Sequence, residues 1–209
     1  MIDVEGFYKL VEGITASNQG FYNNFQYENA QGSYNAKGVE FLLNKTANNF
    51  STWASYTYSI NDYEFKSITP SVFPNNVDIR HSVSLAFNYN ILKNLEMSVG
   101  GIWRSGQPYT KPLEGNETVQ DGNNTRVNYD VPNNENVENF MRLDASMSYN
   151  FNLSESVQAI FRVGVLNVLD RENIINRYYE VDPNDSDKTI EINNKSLGLT
   201  PNFSLRINF

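Results

Sequence analysis

The C-terminal segment of the chain, Gly198-Leu-Thr-Pro-Asn-Phe-Ser-Leu-Arg-Ile-Asn-Phe209, indicates the fold class. In its last seven residues apolar side chains occupy every second position, and the positions between them are polar. The apolar residues are Phe203, Leu205, Ile207 and Phe209. Successive side chains of a β-strand point to opposite faces, so this strand has one apolar face and one polar face. A strand of this kind that stops on an aromatic residue is typical of a membrane-spanning β-barrel, with lipid outside and a polar lumen inside.

The same alternation recurs in seven earlier segments. It predicts strands at residues 2–11, 37–45, 50–63, 81–91, 95–107, 139–151 and 156–169, which with the last strand make about eight. A strand that crosses a membrane at a tilt needs roughly 9–11 residues, and these segments are long enough. The polar face of 50–63 is small and hydroxylic, with Trp53 as its exception.

The connections between these segments alternate in length. Those at 46–49, 92–94 and 152–155 are short, whereas those at 12–34, 64–78, 108–138 and 170–197 are long and polar. We expect the segments 108–138 and 170–197 to lack regular structure. Short periplasmic turns on one rim and long extracellular loops on the other are typical of transmembrane barrels. The sequence therefore predicts an all-β, antiparallel barrel segment, and the C-terminus falls on the short-turn rim.

Composition narrows the functional classes. The 209 residues suffice for one domain, and the absence of Cys excludes disulfides and thiolate metal sites. A formal net charge of -8 disfavours nucleic acid as a partner. No nucleophile–base pair, phosphate loop or zinc-type spacing is present, so we expect no catalysis, no cofactor and no metal. The single histidine, His81, is expected to form a hydrogen bond at a strand end.

The start of the chain carries no charged segment followed by an apolar core, so no signal peptide is predicted. A protein of the outer membrane has to cross the inner membrane first. We therefore expect the sequence to be part of a longer protein.

Charged residues on the predicted inward faces are candidates for contact with a plug or a ligand path. They are Arg104, Arg142, Asp144, Arg162 and Arg206. The alternative, which the cost of unpaired charge favours, is an ion-pair ladder that satisfies charges in the lumen. A turn centred on Ser154 would place Ser146 opposite Arg162, with Asp144 as its diagonal neighbour.

Several short pieces resemble the C-terminal part of TonB-dependent receptors, particularly those of Bacteroidetes. The pieces are Ile2-Asp-Val-Glu-Gly-Phe-Tyr-Lys9, Lys37-Gly-Val-Glu-Phe41, Trp53-Ala-Ser-Tyr-Thr-Tyr-Ser59, Asp78-Ile-Arg-His81, Arg104-Ser-Gly-Gln-Pro-Tyr109, Arg142-Leu-Asp144 and Asn167-Val-Leu-Asp-Arg171. The resemblance implies a barrel of about 22 strands with a plugged lumen, of which this chain would supply the last third. The terminal residues Phe203, Leu205, Ile207 and Phe209 resemble the signal that the barrel-assembly machinery reads.

The resemblance implies that residues 1–209 are the C-terminal portion of a receptor barrel in the bacterial outer membrane. Its function would be TonB-dependent uptake of a nutrient such as a siderophore or an oligosaccharide. Implied partners are outer-membrane lipid, the assembly machinery, the rest of the receptor with its plug, and TonB through that plug. We expect the long loops at 12–34, 108–138 and 170–197 to contact the substrate or a surface lipoprotein.

Two other functions stay open at this stage. One is a self-closed eight-stranded membrane barrel with a structural or adhesive role, because eight strands can close around a filled interior. The other is a soluble β-sandwich that binds carbohydrate, which would need a packed core between its apolar faces.

Overall fold

A computed structural model describes residues 1–16 and 30–209, which form fifteen β-strands. No helix among these residues is long and apolar enough to cross a membrane. The strands are β1 (Ile2–Thr15), β2 (Gln31–Thr46), β3 (Phe50–Glu64), β4 (Val72–Pro74), β5 (His81–Leu92), β6 (Leu95–Arg104), β7 (Pro108–Tyr109), β8 (Thr118–Asp121), β9 (Asn124–Val127), β10 (Glu135–Asn136), β11 (Phe140–Asn152), β12 (Gln158–Leu166), β13 (Ile174–Asp182), β14 (Asp185–Lys195) and β15 (Thr200–Asn208).

Eight long strands form one antiparallel sheet in the order β1-β2-β3-β5-β6-β11-β12-β15, and β4 extends it beside β3. All eight predicted strands are therefore confirmed. The short turns near 46–49 and 92–94 also lie where they were expected, whereas the third turn comprises residues 153–157 and not 152–155. Within the described residues β1 and β15 are not paired with each other, so the sheet is open.

The predicted long loop 12–34 falls mostly on residues 17–29, which lie outside the described residues. The structure begins β2 six residues before the predicted strand, at Gln31, and extends β1 to Thr15. These two strands pair along this added length, with Val11 opposite Tyr34 and Thr15 opposite Gln31.

The strand register aligns the apolar positions into continuous rows on one face. One row runs across six strands through Val4, Phe41, Tyr56, Val83, Trp103 and Met141. On β15 the apolar residues Phe203, Leu205 and Ile207 lie on the same face. Phe203 is 80% exposed, and Phe209, directly after the strand, is 98% exposed. A single-layer sheet with an exposed apolar face of this extent fits a lipid environment, because apolar surface this large is costly in water.

The opposite face carries small, polar and charged side chains. A typical row contains Ser51, Asn88, Ser98, Ser146, Gly164 and Asn202. This is the face that the alternation predicts for the lumen.

A small buried cluster lies where β3 passes into the loop that carries β4. Phe65 is fully buried there, against Tyr63 and Phe73 at ring-centroid distances of 5.8 Å and 6.1 Å. Ala16 and Ala30 belong to the same cluster and are joined by a backbone hydrogen bond of 2.9 Å. This cluster anchors the long loop after β3 to the ends of β1 and β2.

The prediction that 108–138 and 170–197 lack regular structure is wrong. The first segment contains the hairpin β8–β9 and a pairing of β7 with β10, and the second is the long hairpin β13–β14. Alternation of apolar and polar residues is short or broken in the strands of these hairpins, as at Ile174 and Ile175 on β13 and at Ile190 and Ile192 on β14, so it did not predict them. The β13–β14 hairpin turns through Pro183 and Asn184, where the Asp182 carboxylate accepts the Asn184 amide at 2.8 Å.

A charge on the apolar face is expected to destabilise the complete receptor, whereas a charge on the lumen face is not. Phe87→Arg places a cation on the lipid-facing side of β5, at an expected cost of about 2–4 kcal/mol. Asn88→Arg, one residue along and on the lumen face, is the matched control. The measurement is the free energy of unfolding in urea, with the receptor in lipid bilayers. Equal costs for the two variants would contradict the assignment of faces.

Candidate functional site

The lumen face of β11 carries two of the five predicted site residues in direct contact. Arg142 Nη2 lies 3.0 Å from Asp144 Oδ2, two positions apart on one face of the strand. Beside them, the guanidinium of Arg104 lies 4.7 Å from the ring centroid of Phe140. The structure therefore brings Arg104, Arg142 and Asp144 together near the extracellular end of the sheet.

The predicted strand partner of Arg162 is wrong by two residues. Ser148, not Ser146, lies opposite Arg162, because the turn between β11 and β12 takes the five residues Leu153–Val157. The turn is thus centred one residue later than predicted. Moving the centre of a turn by one residue moves the strand partner of a given residue by two residues. Asp144 is consequently not a diagonal neighbour of Arg162.

Arg162 and Asp144 nevertheless line one shallow groove of about 320 Å³ on the lumen face, floored by Gly100, Ser146 and Gly164. Arg206 lies farther toward the C-terminal rim, in the row of Ile160. Among the described residues, Arg142–Asp144 is the one ion pair within this set of five. The expected ion-pair ladder is thus formed only in part.

Asn167 fixes the chain where it leaves β12, and no role was predicted for it. The side chain is 2% exposed and the backbone has φ 54. Its Nδ2 donates to the carbonyls of Arg171 and Leu197 at 2.9 Å and 3.0 Å, and its backbone amide donates to Asp144 Oδ1 at 2.9 Å. Asparagine tolerates a positive φ better than most residues and offers both a donor and an acceptor.

Asn173 makes a second clamp at the base of the β13–β14 hairpin. Its Oδ1 accepts the Met141 amide at 2.8 Å and its Nδ2 donates to the Met141 carbonyl at 2.9 Å. Its own amide donates to Ser196 Oγ at 3.2 Å. The amide side chain thus takes the place of a backbone partner at the end of β11 and ties the hairpin to the sheet.

The signal for these clamps was present in the sequence. Two asparagines occur six residues apart directly after an alternating strand, in Asn167-Val-Leu-Asp-Arg-Glu-Asn173. Asparagine at a strand end is typical of turns in which its side chain replaces a backbone hydrogen-bond partner.

Arg177 on β13 joins the two extracellular hairpin regions. Its side chain is 11% exposed, and Nη2 lies 3.0 Å from Glu138 Oε1 while Nη1 donates to the Tyr109 hydroxyl at 3.2 Å. The guanidinium also lies 5.2 Å from the Tyr109 ring centroid, and the Tyr109 and Tyr179 rings stack at 6.3 Å. Every part of the guanidinium group is therefore engaged within the protein.

The ionisation of these groups follows from the same contacts. Burial works against the charge of Arg177, but the hydrogen bonds that its guanidinium donates to Tyr109 and Glu138 outweigh this effect and raise the pKa of Arg177. Burial and the contacts with Tyr109 raise the pKa of Tyr179 above its ordinary value. Burial also raises the pKa of Tyr129 to about 12. The arginine stays charged and both tyrosines stay neutral at physiological pH.

Further contacts hold the hairpins side by side. Glu117 Oε2 accepts both the amide and the hydroxyl of Thr189, at 2.8 Å and 2.7 Å. Thr118 Oγ1 donates to the Ser186 carbonyl at 2.8 Å. The extracellular segments around β8–β9 and β13–β14 therefore form one connected body above the sheet.

His81 lies at the start of β5, as predicted for a strand-end hydrogen bond. The Tyr56 hydroxyl lies 2.9 Å from His81 Nδ1, and the Tyr58 ring centroid lies 5.2 Å from the imidazole. No group of three or more His, Cys, Asp or Glu side chains that could hold a metal occurs in the part of the chain that the structure describes.

These features define a class: a wall segment of a membrane-spanning antiparallel β-barrel with a polar lumen face and built-up extracellular hairpins. The family model described as "TonB dependent receptor-like, beta-barrel" matches residues 1–168, and the chain belongs to this family. Members of the family are outer-membrane receptors and transporters rather than enzymes. The Bacteroidetes type stays a prediction.

A solved structure shows the same fold. The chain is similar to the closed form of the ferric-catecholate import receptor Fiu from Escherichia coli K12, with a TM-score of 0.56 and 14% sequence identity. The likeness covers 99% of this chain and 24% of that receptor, so the chain spans about a quarter of the receptor's length. No curated protein sequence matches the chain.

Loss of the Asn167 side chain is expected to loosen the exit from β12. Asn167→Ala removes two donated hydrogen bonds and places alanine at a positive φ, which should cost the complete receptor about 2–4 kcal/mol. The control is Asn176→Ala on the exposed side of β13. The measurement is the free energy of unfolding in urea. A cost below that of the control would contradict the clamp.

The contact between the hairpins is expected to weaken in acid. The side-chain hydrogen bond from Thr189 lowers the pKa of Glu117, and the Thr189 amide adds to this. The contact is therefore complete above the ordinary glutamate pKa of about 4.3 and is lost as the pH falls through the lowered value. Spin labels at Gly122 and Asn184 should move apart in that acid range. In Glu117→Gln this pH dependence should be absent, and an unchanged transition would count against the contact.

Proposed function

We propose that residues 1–209 are the C-terminal portion of a TonB-dependent outer-membrane receptor that takes up a nutrient such as a siderophore or an oligosaccharide. In this role the chain supplies barrel wall, extracellular surface and the terminal assembly signal. Family membership over residues 1–168 supports the receptor class.

The observation that carries the proposal is the two-faced open sheet. Eight strands present continuous apolar rows on one side and hydroxylic rows on the other, and the edges β1 and β15 are unpaired among the described residues. Free edges expose backbone donors and acceptors that hydrocarbon cannot satisfy. Further strands on both edges would satisfy them, which favours a larger barrel over a self-closed one.

The soluble sandwich is less compatible with this arrangement. A sandwich needs a second sheet about 10 Å above the apolar face. The further sheets of the described residues are two-stranded, and the apolar rows of the main sheet stay exposed. A carbohydrate-binding sandwich therefore has no core here.

The proposed partners follow from the two faces and the rim. Lipid would cover the apolar rows. The plug would face the lumen candidates Arg104, Arg142, Asp144, Arg162 and Arg206, and TonB would act through the plug. The assembly machinery would read the exposed alternate positions of the terminal strand, Phe203, Leu205, Ile207 and Phe209. The extracellular hairpins would contact the nutrient or a surface lipoprotein.

The expected behaviour of the expressed chain separates the three functions. Alone, the chain should require detergent and should migrate on a gel without a compact form, because its edges lack their neighbours. The complete receptor should show a compact form that is lost on boiling, and it should fractionate with the outer membrane. The measurement is heat-modifiable electrophoretic mobility after membrane fractionation.

Other results would point elsewhere. A compact, heat-modifiable form of the chain alone would support the self-closed barrel. A folded chain in buffer without detergent would contradict both membrane proposals. The matched sample for each is the same preparation boiled before electrophoresis.

A further inference from the structure

Trp53 occupies an unusual place on β3. It is 39% exposed and lies on the lumen face, opposite Ala86 and away from the rows that face lipid. Tryptophan in membrane barrels gathers at the lipid interfaces on the outer face. The register therefore excludes a lipid-interface role for Trp53. Its large apolar side chain lies instead on the hydroxylic lumen face.

Trp53 forms one wall of a depression in the lumen face, which we call the notch. The depression measures about 340 Å³, and its lining includes Trp53, Ser84, Gly100, Ile102 and the Arg142–Asp144 pair. Ile102 is a second exposed apolar residue on this face, at 38%. The space is large enough for an aliphatic or aromatic side chain.

The floor of this notch is built from small residues. The register aligns Trp53, Ala86, Gly100 and Asp144 in one row across four strands. No side chain larger than a methyl group therefore stands between the indole and the carboxylate. A Cβ built on Gly100 would meet the Leu85 carbonyl oxygen at 3.8 Å, an ordinary contact, so the backbone does not require glycine there.

The carboxylate at the polar edge of the notch is already engaged. Asp144 Oδ2 pairs with Arg142 and Oδ1 accepts the Asn167 amide. A sugar or another polar nutrient would find both oxygens of this carboxylate engaged. An apolar protein side chain would bury the indole and the Ile102 side chain without displacing these bonds.

We infer that this notch, formed by Trp53, Gly100 and Ile102, receives an apolar side chain of the receptor's own plug domain and acts as an anchor between plug and barrel. The inference rests on the proposed function, since only a receptor barrel encloses a plug. Partly exposed aromatic residues at the centre of a contact contribute a large share of its binding energy. The anchor would hold the plug against the wall beside the Arg142–Asp144 pair.

The test fills or empties the notch in the full-length receptor. Gly100→Val fills it with a β-branched residue that strands accept, and Trp53→Ala removes its wall. Ser98→Val adds a similar side chain on the same face of β6, two residues away, and is the control. The measurement is hydrogen–deuterium exchange of the plug peptides, read by mass spectrometry.

Both notch variants are expected to speed exchange in at least one plug peptide by about tenfold or more, while Ser98→Val leaves it unchanged. In addition, a photo-crosslinking phenylalanine analogue at position 53 should capture a plug peptide, and the same analogue at the lipid-facing neighbour Ala54 should not. Wild-type exchange rates in Gly100→Val and Trp53→Ala would overturn the anchor. Altered uptake with unchanged plug exchange would overturn it too and assign the notch to the transported solute.

The outcome for the wild-type receptor separates this inference from the proposed function. If the wild-type protein reaches the outer membrane as a heat-modifiable barrel and the notch variants behave like it, the anchor alone fails. If the wild-type protein does not, the proposed function fails and the anchor fails with it.

Discussion

The structure depends on one constraint: each backbone amide and carbonyl that enters hydrocarbon must find its partner in a neighbouring strand. Water cannot replace that partner, so pairing has to continue from strand to strand. The continuous register from β1 to β15 satisfies this requirement everywhere except at the two outer edges of the described sheet. It also forces the period of two onto the sequence, because side chains of one row must share an environment. The lipid rows and the lumen rows are two consequences of the same pairing.

The constraint ends at the extracellular rim, where the strands stop. There polar side chains form the hydrogen bonds that a neighbouring strand would otherwise provide. Asn167 and Asn173 supply amide groups in place of the missing strand partners, and both are 2% exposed. Beyond them, Arg177 and Glu117 connect hairpins that share no strand pairing with the main sheet. The extracellular hairpins are thus joined to one another chiefly by side-chain hydrogen bonds, whereas the strands of the wall are joined by backbone bonds.

This difference explains how much the sequence could predict. In β3 and β11 an apolar residue at every second position identified strand, face and approximate length. In β13 the apolar residues Ile174 and Ile175 are adjacent, and in β14 only Ile190 and Ile192 alternate with polar residues, so the same criterion predicted a loop. The pairing of Arg162 was displaced by two residues because composition does not give the length of a turn. The clamp at Asn167 was missed because its role depends on a φ of 54° and on the carbonyl of Leu197, thirty residues away, which the asparagine spacing alone does not identify.

The Arg142–Asp144 pair illustrates how a charge in the lumen can act without adding much stability. Its side chains are 41% and 26% exposed, and pairs of this kind contribute about 0–1 kcal/mol. The second carboxylate oxygen, however, accepts the amide of Asn167. Asp144 thereby links the lumen wall to the residue that sets the exit of β12 and the base of the β13–β14 hairpin. Arg142 orients that carboxylate, so the pair acts chiefly as a positioning device between lumen and extracellular surface.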